Sequence, residues 1–297
     1  MDTLSWRLVF LVNVLPIGAT LWLLARSGHV DHRRAGARVD ILGAVLCAAG
    51  LGGVVFALIE QPNLGWASPV IWGPGVIGIL SFAGFLVRQR TARQPMMPLD
   101  LFRSRNFWAG NLTTVFVYAA LSLNGFVVGV YLQQGAGLPA TLAGLASLPS
   151  TLLMITLSSR MGALAGRYGP RLFMTLGPVV MAAGALLLLS VRPDFDYWTQ
   201  VLPGIVVFGL GLTATVSPLT AAVLGAIETE RSGIASAVNN AVSRVAGLLA
   251  IAAISAVAGG ALDIDGFHRA AVFTAVLMLL GAAAAFLGIR NHLSRRD

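Results

Sequence analysis

The chain has 297 residues, of which 57% are hydrophobic and only 11% charged, with a formal net charge of +8. A soluble domain carries about 25% charged residues, so the composition excludes an ordinary water-soluble fold. The positive charge does not point to nucleic acid either. All 20 basic residues are arginine and nearly all fall in short stretches between apolar blocks.

Those blocks run to about 20 residues, the length a helix needs to cross roughly 30 Å of hydrocarbon. They predict nine transmembrane helices, at about 7–25, 40–59, 70–88, 107–132, 140–159, 172–191, 201–225, 234–259 and 270–290. The predicted fold class is all-α, a polytopic membrane helix bundle. The first block, from Leu8 to Leu24, exceeds the h-region of a signal peptide and reads as an uncleaved span. Cys47 is the single cysteine and lies inside the second block, so no intrachain disulfide forms. It reads as a small packing residue.

The connecting segments alternate in charge. The first carries Arg26, Arg33, Arg34 and Arg38, the second none, the third Arg88, Arg90, Arg93, Arg103 and Arg105, and the fourth none. The fifth carries Arg160, Arg167 and Arg171, the seventh Arg231, and the tail Arg290, Arg295 and Arg296. The nine-span reading puts 16 arginines on one face and three (Arg7, Arg192, Arg269) on the other, with Arg244 inside a span. By the positive-inside rule the N-terminus is outside and the C-terminus cytoplasmic. Arginine without lysine, with high alanine and glycine, points to a GC-rich bacterial genome and hence to a bacterial inner membrane.

The span from 107 carries Asn111, Thr114, Tyr118, Ser122 and Gly125 at spacings that put them on one helix face. Such a face avoids lipid and lines either a helix contact or a watery cavity. Asn124 and Gln133 lie nearby. Ser147, Pro149 and Ser150 predict a helix break, and Thr213, Ser217, Pro218 and Thr220 a kink. The segment 160–171 combines glycines that permit a tight turn with arginines that bond helix ends or acidic lipid heads. It is either a gate or a plain basic loop. Asn239, Asn240, Ser243 and Arg244 form a second polar cluster. An arginine inside a span needs a partner or a route to the interface. Arg244 either is a cavity cation that holds an anionic group or tunes a proton site, or is satisfied by carbonyls or asparagines.

Three motifs resemble one family. Ser5-Trp6-Arg7-Leu8-Val9-Phe10-Leu11-Val12-Asn13-Val14, followed by Pro16 and Gly18, is similar to the sixth helix of the 14-span drug:proton antiporters of the major facilitator superfamily, with Leu15 inserted before the proline. Gly162-Ala163-Leu164-Ala165-Gly166-Arg167-Tyr168-Gly169-Pro170-Arg171 resembles the C-half copy of that superfamily's cytoplasmic loop, with Gly166 where aspartate is common. The stretch from Glu230 to Arg244 resembles the start of its penultimate helix.

The resemblance implies a C-terminal fragment of that fold: residues 1–25 as the sixth helix, 26–106 as two extra central helices with cytoplasmic linkers, and 107–297 as the C-terminal six-helix bundle. It implies multidrug-type efflux of small hydrophobic or cationic substrates by proton antiport, with no cofactor beyond the proton gradient. It places Asn111, Thr114, Tyr118, Asn124, Gln133, Asn239, Asn240 and Arg244 toward the substrate cavity. Gly162, Gly166, Arg167, Gly169 and Arg171 become a cytoplasmic gating loop. The twelve acids all lie in loops or at span ends, so no central carboxylate is available here for proton coupling.

Other classes fit less well. There is no P-loop, and Gly209-Leu210-Gly211 sits in a span without a third glycine. His29 and His32 lack the acidic partners of a metal site. A separate N-terminal half, making this a subunit of a split transporter, and a non-transporting membrane scaffold are the alternatives. The chain alone is expected not to drive proton-coupled transport, since one bundle has no partner to rock against. Its partners are expected to be the lipid bilayer and a small-molecule substrate.

Overall fold

The computed structural model describes residues 11–26, 40–92, 95–259 and 262–291. Outside them lie Trp6 and Arg7, the arginines at 33, 34, 38, 93, 295 and 296, and the pair His29 and His32. The chain divides into two compact units, residues 1–39 and 40–297.

In the first unit, α1 spans Val14–Arg26. Pro16 is tolerated in the first turn, where the backbone N–H has no helical acceptor. Thr20 Oγ1 donates to the Pro16 carbonyl at 2.7 Å, and the Arg26 guanidinium stacks 4.3 Å from the Trp22 ring centroid.

The second unit begins with a hairpin of α2 (Ile41–Leu64) and α3 (Pro69–Thr91). Asp40 caps α2 by accepting from Gly43 N at 3.0 Å. Gly65 (φ 71°) ends it, and Ser68 with Pro69 starts α3. The helices touch through glycines. A Cβ on Gly78 would lie 2.8 Å from Val54 N and 2.9 Å from Gly50 O, so only hydrogen fits. Arg88 Nε meets Asp40 Oδ1 at 2.7 Å and closes the open end of the hairpin.

A 3₁₀ turn at Leu99–Arg103 leads into α4 (Arg105–Val130), which continues through a π-helical turn at Tyr131–Gly135. Next come the short α5 (Ala140–Leu145), α6 (Leu148–Tyr168), α7 (Pro170–Leu187) and α8 (Leu202–Leu224). The chain ends with α9 (Ser232–Ala252), the short α10 (Ile254–Ala258) and α11 (Ile264–Gly288). The packed pairs run α9–α4–α11–α7–α8–α6, with α8 also against α4 and α9, and α2 against α9. The α7–α8 contact is built on small residues: a Cβ on Gly211 would lie 2.5 Å from Gly177 O and 2.6 Å from Met181 N.

Among the described residues, eight helical stretches are long and apolar enough to cross a membrane, and the 13-residue α1 is a shorter apolar helix. Residues 7–10 of the first predicted span lie outside the described set. The molecule is an all-α, multi-pass membrane protein.

Two predicted boundaries need correction. The fifth predicted span ended at 159 because a run of charge and glycine begins there, yet α6 continues to Tyr168. Gly162, Gly166 and Arg167 are therefore helical, and only Gly169 lies between α6 and α7. Helix propensity has no objection to arginine or alanine, so the helix projects past the apolar block. The ninth predicted span likewise began at 270, while α11 starts at Ile264 behind the N-cap Asp263.

Candidate functional site

The polar face of α4 meets two different environments. Asn111 and Thr114 are buried, 3% and 0% exposed, in the contact with α9. Asn239 Nδ2 of α9 donates to Thr114 Oγ1 at 2.8 Å and to Asn111 Oδ1 at 3.2 Å. Asn111 and Thr114 in turn donate to the Phe107 and Gly110 carbonyls, both at 2.9 Å. The Asn111 and Thr114 side chains are thus each bonded twice, once to their own helix and once to Asn239. These three side chains join α4 to α9.

One and a half turns further along the same two helices lies a cavity of about 540 Å³, lined by Tyr118, Leu121 and Ser122 of α4 and by Asn240, Ser243, Arg244, Gly247, Leu248 and Ile251 of α9. Close approach of Gly247 to Ser122 forms its floor: a Cβ there would meet the Ser122 side chain. Arg244 is exposed in it, 12 residues from the start of α9, about 18 Å along the helix. At a span centre such a residue costs about 2.5–3.5 kcal/mol on insertion scales. An open cavity lowers that cost by admitting water.

A second cavity, about 290 Å³, shares Leu121 with the first. Asn124, Gly125 and Gly129 of α4 and Gln133 of the π-turn form one wall. Ala143, Gly144, Ser147 and Ser150 form another, with Ile205, Phe208 and Leu212 of α8 between. The predicted break at Ser147 is present, and it puts these small residues on the cavity wall. The π-turn is held by Tyr131, whose ring stacks on Phe267 with centroids 4.3 Å apart. Gln133 Nε2 donates to the Gly129 carbonyl at 3.0 Å.

Of the predicted site residues, Tyr118, Asn240 and Arg244 share one cavity, and Asn124 and Gln133 the other. Asn111, Thr114 and Asn239 form the helix contact below them. The α8 wall has no polar residue, so nothing in its sequence marked it. Gly247, four residues after Ser243, was the one legible signal of a close α4–α9 approach.

Both arginine-rich helix ends are tied. Arg231, just before α9, donates from two nitrogens to the Asp100 carboxylate at 2.7 and 3.0 Å. This hydrogen bond holds Asp100 below its ordinary carboxylate range and raises Arg231. Ser104 Oγ also donates to the Ala226 carbonyl at 3.1 Å. At the α6–α7 corner, Gly169 adopts φ 90° and ψ 147°, a conformation open essentially to glycine alone. Arg171 Nε donates to the Phe286 carbonyl at 2.9 Å, with its guanidinium 4.6 Å from the Phe286 ring centroid. Arg171 N donates to Asn291 Oδ1 at 3.1 Å. The corner is thereby anchored to the end of α11.

Comparison with known proteins gives a consistent picture. Residues 1–251 match the family model of the Major Facilitator Superfamily. The chain is 31% identical over 265 residues to the uncharacterized MFS-type transporter EfpA of Mycobacterium tuberculosis, covering 85% of this chain and 48% of that protein. It is 30% identical over 287 residues to a methylenomycin A resistance protein of Streptomyces coelicolor, covering 95% and 59%. It is also 30% identical over 254 residues to a tetracenomycin C resistance and export protein of Streptomyces glaucescens, covering 84% and 46%. The chain spans about half the length of these relatives.

Proposed function

Because the chain belongs to the major facilitator superfamily, we propose that it forms the substrate-facing C-terminal bundle, with two central helices, of a drug-efflux transporter. In this reading α1 corresponds to the family's sixth helix, α2 and α3 to the central pair, and α4 to α11 to the C-terminal six spans. The arginine-rich helix ends face the bacterial cytoplasm. A small hydrophobic molecule crosses by alternating access, exchanged for protons. The acids that carry the proton belong to the other half, and no described span holds a central carboxylate.

The observation that carries this reading is the pair of adjoining cavities on α4, lined by α4, α9, α8 and the broken α5–α6 helix. Small-molecule sites have this size and this mix of apolar wall with few polar groups. Relatives named for antibiotic resistance and export support it. The Gly169 corner and the Asp100–Arg231 pair then serve as ties on the gating end.

Cys47 is the single cysteine, so labelling is clean in a Cys47→Ser background. Asn124→Cys and Asn240→Cys are expected to react in intact membranes with a water-soluble maleimide. A neutral hydrophobic dye such as Nile red is expected to slow that reaction. Pump-deficient cells expressing the unmodified chain alone are expected to accumulate the dye as control cells do, and cells that also express the N-terminal half of a family relative to accumulate less, a difference that collapse of the proton gradient abolishes. No labelling at either site, or labelling indifferent to the dye, rejects the reading. A second reading draws on the half-length coverage: a separate chain of about five spans supplies the other half. Co-purification of such a chain distinguishes it.

A further inference from the structure

We propose that the α4–α9 cavity is an oxyanion site, in which Arg244 takes the carboxylate or phosphate head of an amphiphile whose apolar body lies along Leu121, Leu248 and Ile251. The inference rests on the substrate-cavity reading above and narrows its substrate class.

Arg244 is the only charged side chain lining either cavity. Five other arginines have assigned acceptors. Arg105 donates to the Gly288 and Leu287 carbonyls, Arg171 to Phe286, Arg269 to Ala258, and Arg88 and Arg231 to carboxylates. Arg244 has no hydrogen bond or ion pair with any described residue. Arg90, Arg103, Arg160, Arg167, Arg192 and Arg290 also lack a side-chain hydrogen bond or ion pair among the described residues, but none of them lines either cavity. Arg244 sits inside the span Ser232–Ala252, where an unpaired charge needs a partner or water.

Its neighbours on α9 spend their donors elsewhere: Ser243 Oγ donates to the Asn240 carbonyl at 2.8 Å, and Asn240 Nδ2 donates to the Ser236 carbonyl at 3.1 Å, while neither side-chain oxygen accepts a hydrogen bond from Arg244. Across the cavity, the Tyr118 and Ser122 hydroxyls sit one turn apart on α4. Neither has a hydrogen-bond partner among the described residues. A guanidinium and two free hydroxyls thus line one cavity, and no carboxylate lines it. That set suits an acceptor-only oxyanion, since guanidinium and hydroxyl groups donate and charge-assisted bonds to oxyanions are the strong ones. A cation meets like charge on this wall. The rest of the lining is apolar, so the ligand carries an apolar body.

The test uses the full chain in nanodiscs of phosphatidylcholine. The probes are a pyrene-labelled fatty acid, its methyl ester, and the matched trimethylammonium amphiphile. The carboxylate is expected to bind about tenfold more tightly than the ester, the worth of one charge-assisted bond, and the ammonium no better than the ester. Arg244→Gln is expected to bring the carboxylate down to the ester's affinity while ester binding persists, which reports an intact fold. Arg244→Lys is expected to keep part of the preference. Nanodiscs containing phosphatidylglycerol then identify the source: competition by that lipid marks a headgroup site, and its failure to compete marks a soluble amphiphile.

Equal binding of all three probes, or a carboxylate preference that survives Arg244→Gln, overturns the proposal while leaving the cavity reading intact. Binding of none of them rejects both. A variant that loses the carboxylate preference and ester binding together is decided by Tyr118→Phe. A selective fall in carboxylate affinity there supports the site, and no change rejects it.

Discussion

Asn239 of α9 donates to Thr114 Oγ1 of α4 at 2.8 Å, and the same amide reaches Asn111 Oδ1 at 3.2 Å. One side chain thereby satisfies two buried acceptors on the facing helix. The tie joins α4 to α9 within two turns of the cavity-lining Tyr118 and Arg244. Asn239→Leu is expected to destabilise the protein by about 0.6–1.7 kcal/mol, the range for interhelical hydrogen bonds within membranes. Denaturation in mixed micelles reads the loss. The exposed Asn240→Leu serves as comparison and is expected to stay nearer wild type.

Acid is expected to loosen two ties at helix ends. Asp100 is held low chiefly by its hydrogen bond from Arg231. Asp40 is held low first by the Gly43 N–H and then by Arg88. A carboxylate with a depressed folded pKa contributes stability that is fully present above the unfolded value, about 3.9. That contribution disappears as pH falls through the folded value. The window therefore lies below about pH 4, and stability near neutrality is flat for both groups. Carboxyl-carbon NMR titration is expected to show Asp100 titrating low in the wild type and moving upward in Arg231→Gln. The Asp100 side chain is half exposed, so solvent screening keeps the stability change in that variant small.

Two glycines separate close packing from sequence habit. Gly211→Val drives a side chain into Gly177 O and Met181 on α7. The expected cost is about 1–3 kcal/mol, read as a lower unfolding midpoint and less monodisperse protein. Gly166 on α6 has no neighbour within 4 Å of its would-be Cβ. Gly166→Ala is expected to be neutral or to gain about 0.5–1 kcal/mol from helix entropy.

Gly169→Ala is expected to cost about 1–3 kcal/mol, because φ 90° with ψ 147° is strained for any L side chain. The added methyl also collides with the Asn291 amide, which accepts from Arg171 N. Hydrogen exchange is expected to rise at the α6–α7 corner and the end of α11 together. Exchange confined to the corner argues against the anchoring role of Arg171.

Eight of the nine expected spans, the absence of strands among the described residues and the positions of most span ends were legible in composition and hydropathy. So was the helix break at Ser147. The polar face of α4 was legible as a face. Its division was not. Asn111 and Thr114 follow the same spacing as Tyr118 and Ser122, and periodicity assigns all four to one side. Whether that side meets a helix or a cavity depends on where α9 crosses, which no local spacing encodes. The extension of α6 past Arg160 was misread for a related reason: hydropathy reports where lipid ends, not where helical hydrogen bonding ends.

The sequence by itself determined that this chain crosses a membrane repeatedly, because a bilayer forces backbone polar groups into helices and sorts arginine to loops. It also placed one arginine inside a span. Only the tertiary structure decided that Arg244 faces an open cavity instead of a neighbour's carbonyls, and that Asn239 is a helix tie. The physical reason is that partner choice for a polar side chain is a property of two helices in contact. Its own helix supplies the depth and direction, and the facing helix supplies, or withholds, the acceptor.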